Sequence, residues 1–111
     1  MIESIVFQKI KKLIEKQDIL ISSHGYDELA EDGILVKEII STVSNAIILE
    51  DYPDFGKGSC CLVLQKDYKD NPIHAVWGIS KGTQRPAVLI TAYRPSDEKW
   101  SNNYTRRRDV Q

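Results

Sequence analysis

Apolar residues recur at helical spacing in the first forty or so positions and alternate with polar ones after that. Over residues 3–17, Ile5, Val6, Ile10, Leu13 and Ile14 form one stripe, with Lys9, Lys11, Lys12 and Glu15 on the other side. That pattern predicts an amphipathic helix. Ile19, Leu20 and Ile21 make an apolar run that suits either a short strand or an extended connector. Ser22 and Ser23 are N-cap residues for a second helix over about His24–Glu31, with Asp27 and Glu28 in its first turn and Gly33 as its terminator. A third helix is predicted from about Leu35 to Ser44, burying Val36, Ile39, Ile40 and Val43.

Four strands are predicted next, over Ala46–Glu50, Ser59–Lys66, Ile73–Ser80 and Ala87–Tyr93. The segments between them are rich in Gly, Pro, Asp and Asn, and such short turns between consecutive strands favour an antiparallel meander. Pro95 stops the last strand, and Ser96–Trp100 reads as one capped helical turn. The tail from about residue 101 is polar and is expected to be mobile. The whole chain, 1–111, reads as a single α+β domain, with the N-terminal helices packed on one face of a curved antiparallel sheet of about four strands.

Strand side chains alternate between faces. Ile73, Ala75, Trp77 and Ile79 therefore share a face opposite His74, Val76, Gly78 and Ser80. Val88, Ile90 and Ala92 likewise lie opposite Leu89, Thr91 and Tyr93. If the apolar faces meet the helices, His74, Thr91 and Tyr93 gather on the uncovered face in a hollow open to solvent. Gly78 would leave a gap there for a ligand backbone.

Composition changes this picture little. The chain is 41% apolar and 28% charged, ordinary for a globular protein. No apolar run approaches the ~20 residues that span a bilayer, and no signal-peptide pattern opens the sequence, so the cytoplasm is the expected compartment. The net charge of −1 is unevenly divided: residues 1–51 sum to −5 and residues 52–111 to +4. The basic half, which carries the open sheet face, suits phosphate, while the acidic half repels it and suits a basic partner protein. Cys60 and Cys61 are neighbours on a strand, point to opposite sides, and read as small apolar residues. Two distant histidines without a paired-ligand spacing offer no metal site, and no P-loop, dinucleotide-binding glycine pattern or nucleophile elbow is present.

The remaining candidates are few. His24, at the start of a helix, is either a neutral general base or simply part of the helix cap. His74 is a lone strand histidine whose catalytic value depends on sharing a face with Thr91 and Tyr93. Arg94 ends the last strand, where a scaffold presents functional groups, and its planar fork suits phosphate; a surface ion pair is the alternative. Arg106, Arg107 and Arg108 form a basic tract suited to RNA backbone contact or to solubility alone. Trp77 and Trp100 read as a core residue and a lid.

The stretches SSHGYDELAEDGI, SNAIILEDYP, LVLQKD, PIHAVWGISKG and VLITAYRPSDEKW, in this order, resemble the bacterial family labelled domain of unknown function 4258. The resemblance covers about residues 20–108. That family is placed near the RelE-like toxins of toxin–antitoxin pairs, and its members often look like the toxin partner of a small zinc-finger antitoxin. The resemblance implies a RelE-like α+β fold and an mRNA-cleaving activity. It sets the family's early histidine on His24, its strand histidine on His74 and its terminal tyrosine on Tyr93. Where many members carry an arginine before a glycine–isoleucine pair, this chain has Asp32.

The expectation is thus a cytoplasmic toxin acting as a metal-independent endoribonuclease, without a cofactor. His74 or His24 would serve as base and acid, Tyr93 as proton donor or orienter and Arg94 as phosphate clamp. Thr91 and Arg106–Arg108 would contact RNA, and an antitoxin protein would be the partner. The alternative is a non-catalytic module that docks a protein or nucleic acid on the same sheet face.

Overall fold

The computed structural model describes residues 4–54 and 56–108. Helix α1 spans Ile5–Glu15. Ser4 caps it: the hydroxyl accepts the Phe7 N–H at 3.0 Å and donates to the Asp51 carboxylate at 3.0 Å, tying the helix start to the sheet. Phe7, Ile10 and Ile14 recur at i, i+3 and i+7 and are buried. Ile5, first in the expected stripe, is 75% exposed. Three consecutive apolar residues offered several registers, and packing against the sheet selected the one that buries Phe7.

Strand β1 (Ile19–Ile21) leads into α2 (Ser23–Glu31) and α3 (Val36–Thr42), with a single 3₁₀ turn, Val43–Asn45, after them. Ser22 caps α2, accepting the Gly25 N–H at 2.9 Å and donating to the Ile90 carbonyl at 2.8 Å. Gly25 allows this helix onto the strand backbone: a Cβ there would lie 2.9 Å from the Leu89 oxygen and 3.3 Å from that of Ile90. Gly33, with φ of 63°, turns the chain at the helix end as the sequence predicts.

Strands β2 (Ile47–Tyr52), β3 (Cys60–Lys66), β4 (Pro72–Gly78) and β5 (Ala87–Tyr93) form the expected antiparallel meander. The sheet has five strands, however, not four, in the order β1-β5-β4-β3-β2. β1 pairs with β5 in parallel, Ile19 opposite Ala87, so the sheet is mixed, and it is neither curled nor closed. Three apolar residues carry too little local preference to declare themselves a strand; their partner lies almost seventy positions away in the chain.

A second departure is the bulge at Ile90, which leaves Val76 opposite Thr91 and Trp77 opposite Leu89. One extra residue reverses the alternation. Ala87, Leu89 and Ala92 therefore face the helices, and the expected grouping of Val88, Ile90 and Ala92 is broken. The helix-side core joins these to Phe7, Ile10, Leu29, Ile39, Cys61, Val63, Ile73, Ala75 and Trp77. Gln65 is buried among them. Its amide donates to the Ile39 carbonyl at 2.7 Å and to Thr42 Oγ1 at 3.2 Å, and its oxygen accepts the Trp77 indole N–H at 2.9 Å. Cys60 and Cys61 are both buried and free, and burial pushes the Cys61 thiol up to about 12, far from a reactive thiolate. No helix among the described residues is long and apolar enough to cross a membrane.

The tail is described as far as Arg108, and the rest of it lies outside the described residues. The Ser96 carbonyl accepts the Lys99 and Trp100 N–H groups, closing a turn at 96–100. Beyond it, β6 (Trp100–Ser101) and β7 (Arg106–Arg107) form a small hairpin laid over the helix-free face of the sheet. Trp100 has apolar surface to bury there, and His74 and Glu50 offer the segment polar anchors.

Candidate functional site

The helix-free face carries Glu50 and Tyr52 from β2, His74 and Val76 from β4, and Thr91 and Tyr93 from β5. His74 and Tyr93 share this face, as predicted, and are in addition cross-strand partners. The His74 Nδ1 and Tyr93 Oη lie 3.3 Å apart, and Thr91 stands two residues away on the same side, opposite Val76.

The hollow is not open. His74 is 0% exposed. The Trp100 ring meets it edge-on at 4.3 Å between centroids, and the Tyr104 carbonyl lies 2.8 Å from His74 Nε2. A carbonyl only accepts, so Nε2 carries the hydrogen; in the neutral ring Nδ1 then accepts from the Tyr93 hydroxyl. Burial holds the imidazole below the usual histidine range, and Arg107 reinforces this, against the opposing pull of the Tyr104 carbonyl and Glu50. Burial also raises the Tyr93 phenol, so it stays protonated. The pair is therefore a neutral imidazole backed onto a half-buried phenol. Such a pair can take a proton through Tyr93, the member that reaches solvent.

A Cβ at Gly78 would lie 2.9 Å from Ile90 Cδ1 and 3.0 Å from the Ser59 oxygen, yet Gly78 lines a hollow of about 390 Å³ with Ser59, Ile79, Val88 and Ile90.

The arginines divide by role. Arg107 makes a two-pronged pair with Glu50, at 2.6 and 3.0 Å, and its guanidinium lies 4.8 Å from the Trp100 ring centre. This contact pulls the Glu50 carboxyl down and raises Arg107 further. Tyr52 donates to the same carboxylate. Arg106 is exposed on the outer side of the hairpin, opposite Ser101. Arg108 donates to the Asp97 and Trp100 carbonyls and braces the hairpin from within.

Arg94 is not presented as a clamp. Its guanidinium pairs with Asp67 at 2.9 Å and its backbone N–H donates to Asp32 at 2.8 Å. Burial alone would raise the Asp67 carboxyl, but the Asn71 and Lys69 amides and Arg94 outweigh it and hold the group low. Asp67 thus organises the 67–71 turn, and Arg94 completes it. Asp32, at the α2 terminus, serves the same strand end.

His24 is not brought to His74. It sits on the first turn of α2, on the helix side of the sheet, with its side chain 66% exposed and 3.5 Å from Glu28. Two histidines on opposite layers do not form one acid–base pair.

Glu50, Tyr52 and the Tyr104 carbonyl were not legible as site members. Glu50 and Tyr52 had one signal, the alternation of β2, which places them on one face but is masked by the bulge between Ile48 and Glu50; the Tyr104 carbonyl, in a distant turn, had none.

A family model described as a domain of unknown function (DUF4258) matches residues 21–94. The chain belongs to that family. No curated protein and no solved structure matches it. The matched segment of this DUF4258 protein runs from the last residue of β1 to just past the end of β5, so His24, His74, Tyr93 and Arg94 lie inside it. The hairpin with Trp100 and Arg106–Arg108 lies outside it.

Proposed function

We propose that this DUF4258 protein is a RelE-like toxin of a toxin–antitoxin pair, an endoribonuclease that works without a metal on the helix-free face of its sheet. The observation that supports the reading is the His74–Tyr93 pair beneath an arginine-bearing hairpin. In such cleavage the RNA's own 2′-hydroxyl attacks the adjacent phosphorus, a new O2′–P bond forms and the P–O5′ bond breaks. The 2′-hydroxyl proton passes to Tyr93 Oη as the phenol's own proton moves to His74 Nδ1. The departing 5′-oxygen takes a proton from solvent. Arg107, the guanidinium nearest this pair, offsets charge on the phosphorus oxygens. His24 and Arg94 have no part in this mechanism. The acidic first half of the chain, at −5, is the proposed docking surface for a basic antitoxin, and that binding weakens as salt rises.

The alternative, a non-catalytic RNA- or protein-binding module, draws on one specific observation: both ring nitrogens of His74 are already occupied inside the fold. Induced expression in a bacterial host separates the two. Wild type should halt growth and fragment mRNA. His74→Gln, which keeps a donor for the Tyr104 carbonyl, should lower cleavage about 10²–10⁴-fold, the usual worth of an acid–base group. Intact mRNA in cells making wild-type protein that still captures RNA or the neighbouring gene's product would establish the binding module instead.

A further inference from the structure

Residues 95–108 are a separate layer on the domain. They lie beyond the segment matched by the family model. They cover a sheet face that no helix covers, where Leu62, Leu64 and His74 are nevertheless buried. Among the described residues, only two polar attachments join this strap to the sheet: the Arg107–Glu50 pair and the Tyr104 carbonyl on His74 Nε2. Its other bonds are internal, as between Arg108 and the Lys99 carbonyl. Asn102, Asn103 and Tyr104 are all left-handed, with φ of 54°, 58° and 66°. Asparagine tolerates that conformation, but tyrosine does so at a cost. The contact that presses the Tyr104 carbonyl onto His74 therefore comes from a strained turn.

The two attachments are chemically suggestive. A carboxylate sits in the fork of Arg107, the geometry an arginine offers equally to a phosphate. A neutral oxygen sits on His74 Nε2, where a ribose or phosphate oxygen of a bound strand would be received. The Arg107 side chain remains 62% exposed, so a polyanion can reach it without the strap first opening.

We propose that the strap and β2 together form a built-in pseudosubstrate clasp: Glu50 of β2 occupies the phosphate position on the strap's Arg107, the Tyr104 carbonyl of the strap occupies a substrate-oxygen position on His74, and RNA displaces both as it binds. This inference rests on the ribonuclease reading above. It adds that the free protein is self-inhibited and that Glu50 restrains activity instead of contributing to it. Trp100 then moves off the imidazole, leaving Nε2 and the Tyr93 hydroxyl, still backed by Nδ1, facing the strand to be cut, while Arg107 stays on its phosphate.

The test uses the full chain and two readouts: modification of His74 by diethyl pyrocarbonate, located by mass spectrometry, and cleavage of a single-stranded oligoribonucleotide. Glu50→Ala should raise both at least tenfold over wild type. The exchanged pair, Glu50→Arg with Arg107→Glu, should restore the clasp and return His74 to its wild-type reactivity. Arg107→Gln, read by His74 reactivity alone, opens the same clasp and guards against a folding defect peculiar to Glu50→Ala. If His74 stays unreactive in both clasp variants, the strap is no gate and the proposal falls, whether or not RNA is cut. If RNA is cut at the wild-type rate while His74 has become reactive, the strap moves but does not inhibit, and the proposal falls with the ribonuclease reading intact. If His74 becomes reactive and neither wild type nor variant cuts RNA, the ribonuclease reading fails and the inhibitory role fails with it.

Discussion

Acidification should destabilise this protein through one identifiable group. His74 is fully buried as a neutral ring, donating through Nε2 to the Tyr104 carbonyl and accepting through Nδ1 from Tyr93. A proton added at Nδ1 would turn that nitrogen into a second donor facing the Tyr93 hydroxyl and would place a charge under Trp100. The folded-state pKa is therefore depressed, with burial as the first cause. The sign follows: below the unfolded value of about 6.5 the unfolded chain binds the proton and the folded chain does not. Stability is fully present above that pH and falls as pH drops toward the folded value. The slope between the two values is 2.303RT for one proton, about 1.4 kcal/mol per pH unit. Glu50, Asp18 and Asp67 also have lowered values, but they lose their stabilising effect only below about pH 4.5, where free carboxyls begin to protonate. Urea unfolding followed by tryptophan fluorescence at pH 7.5, 6.5 and 5.5 measures the effect. His74→Gln should start from a lower stability, because the edge-on ring packing against Trp100 and Tyr93 is lost, yet show little slope across this window. An equal slope in wild type and variant would refute the assignment, as would a flat wild type.

Three further outcomes test the packing arguments. Gln65→Met strips the acceptor from the buried Trp77 indole and should cost about 1–3 kcal/mol for that unsatisfied N–H alone, read by chemical denaturation; a neutral result would mean water or another group replaces it. Gly25→Ala should destabilise, although glycine-to-alanine in a helix usually gains up to about 1 kcal/mol, because the methyl would meet the Leu89 carbonyl at 2.9 Å; a raised melting temperature would show that α2 is not held against β5. Arg94→Ala leaves the Asp67 carboxylate buried without its cation and should cost roughly 1–3 kcal/mol, less than a fully buried pair because 31% of the Arg94 side chain stays exposed. If Arg94→Ala instead lowers RNA affinity at unchanged stability, Arg94 is a phosphate ligand after all.

The first-order organisation was written locally. Helical spacing, the Ser22 cap and Gly33 specify α2, and alternation between turn-rich segments specifies β2 to β5, because each signal depends on neighbours within a few positions. Period-two alternation also placed His74 and Tyr93 on one face correctly. It did so because the bulge at Ile90 leaves Thr91 and Tyr93 in phase with His74 and shifts only the residues before them.

What the tertiary structure alone decided concerns contacts between distant segments. Ile19–Ile21 became a strand because Ala87–Leu89 offered it a ladder, and the Arg94 guanidinium was committed by an aspartate in another turn. Burial of His74 could not be read from its strand, since the residues that seal it, Trp100 and Tyr104, stand some thirty positions later in a segment with no strong pattern of its own. Local preference is a sum over neighbours and is visible in sequence. Exposure depends on which remote surface arrives on top, and that is settled only when the chain closes on itself.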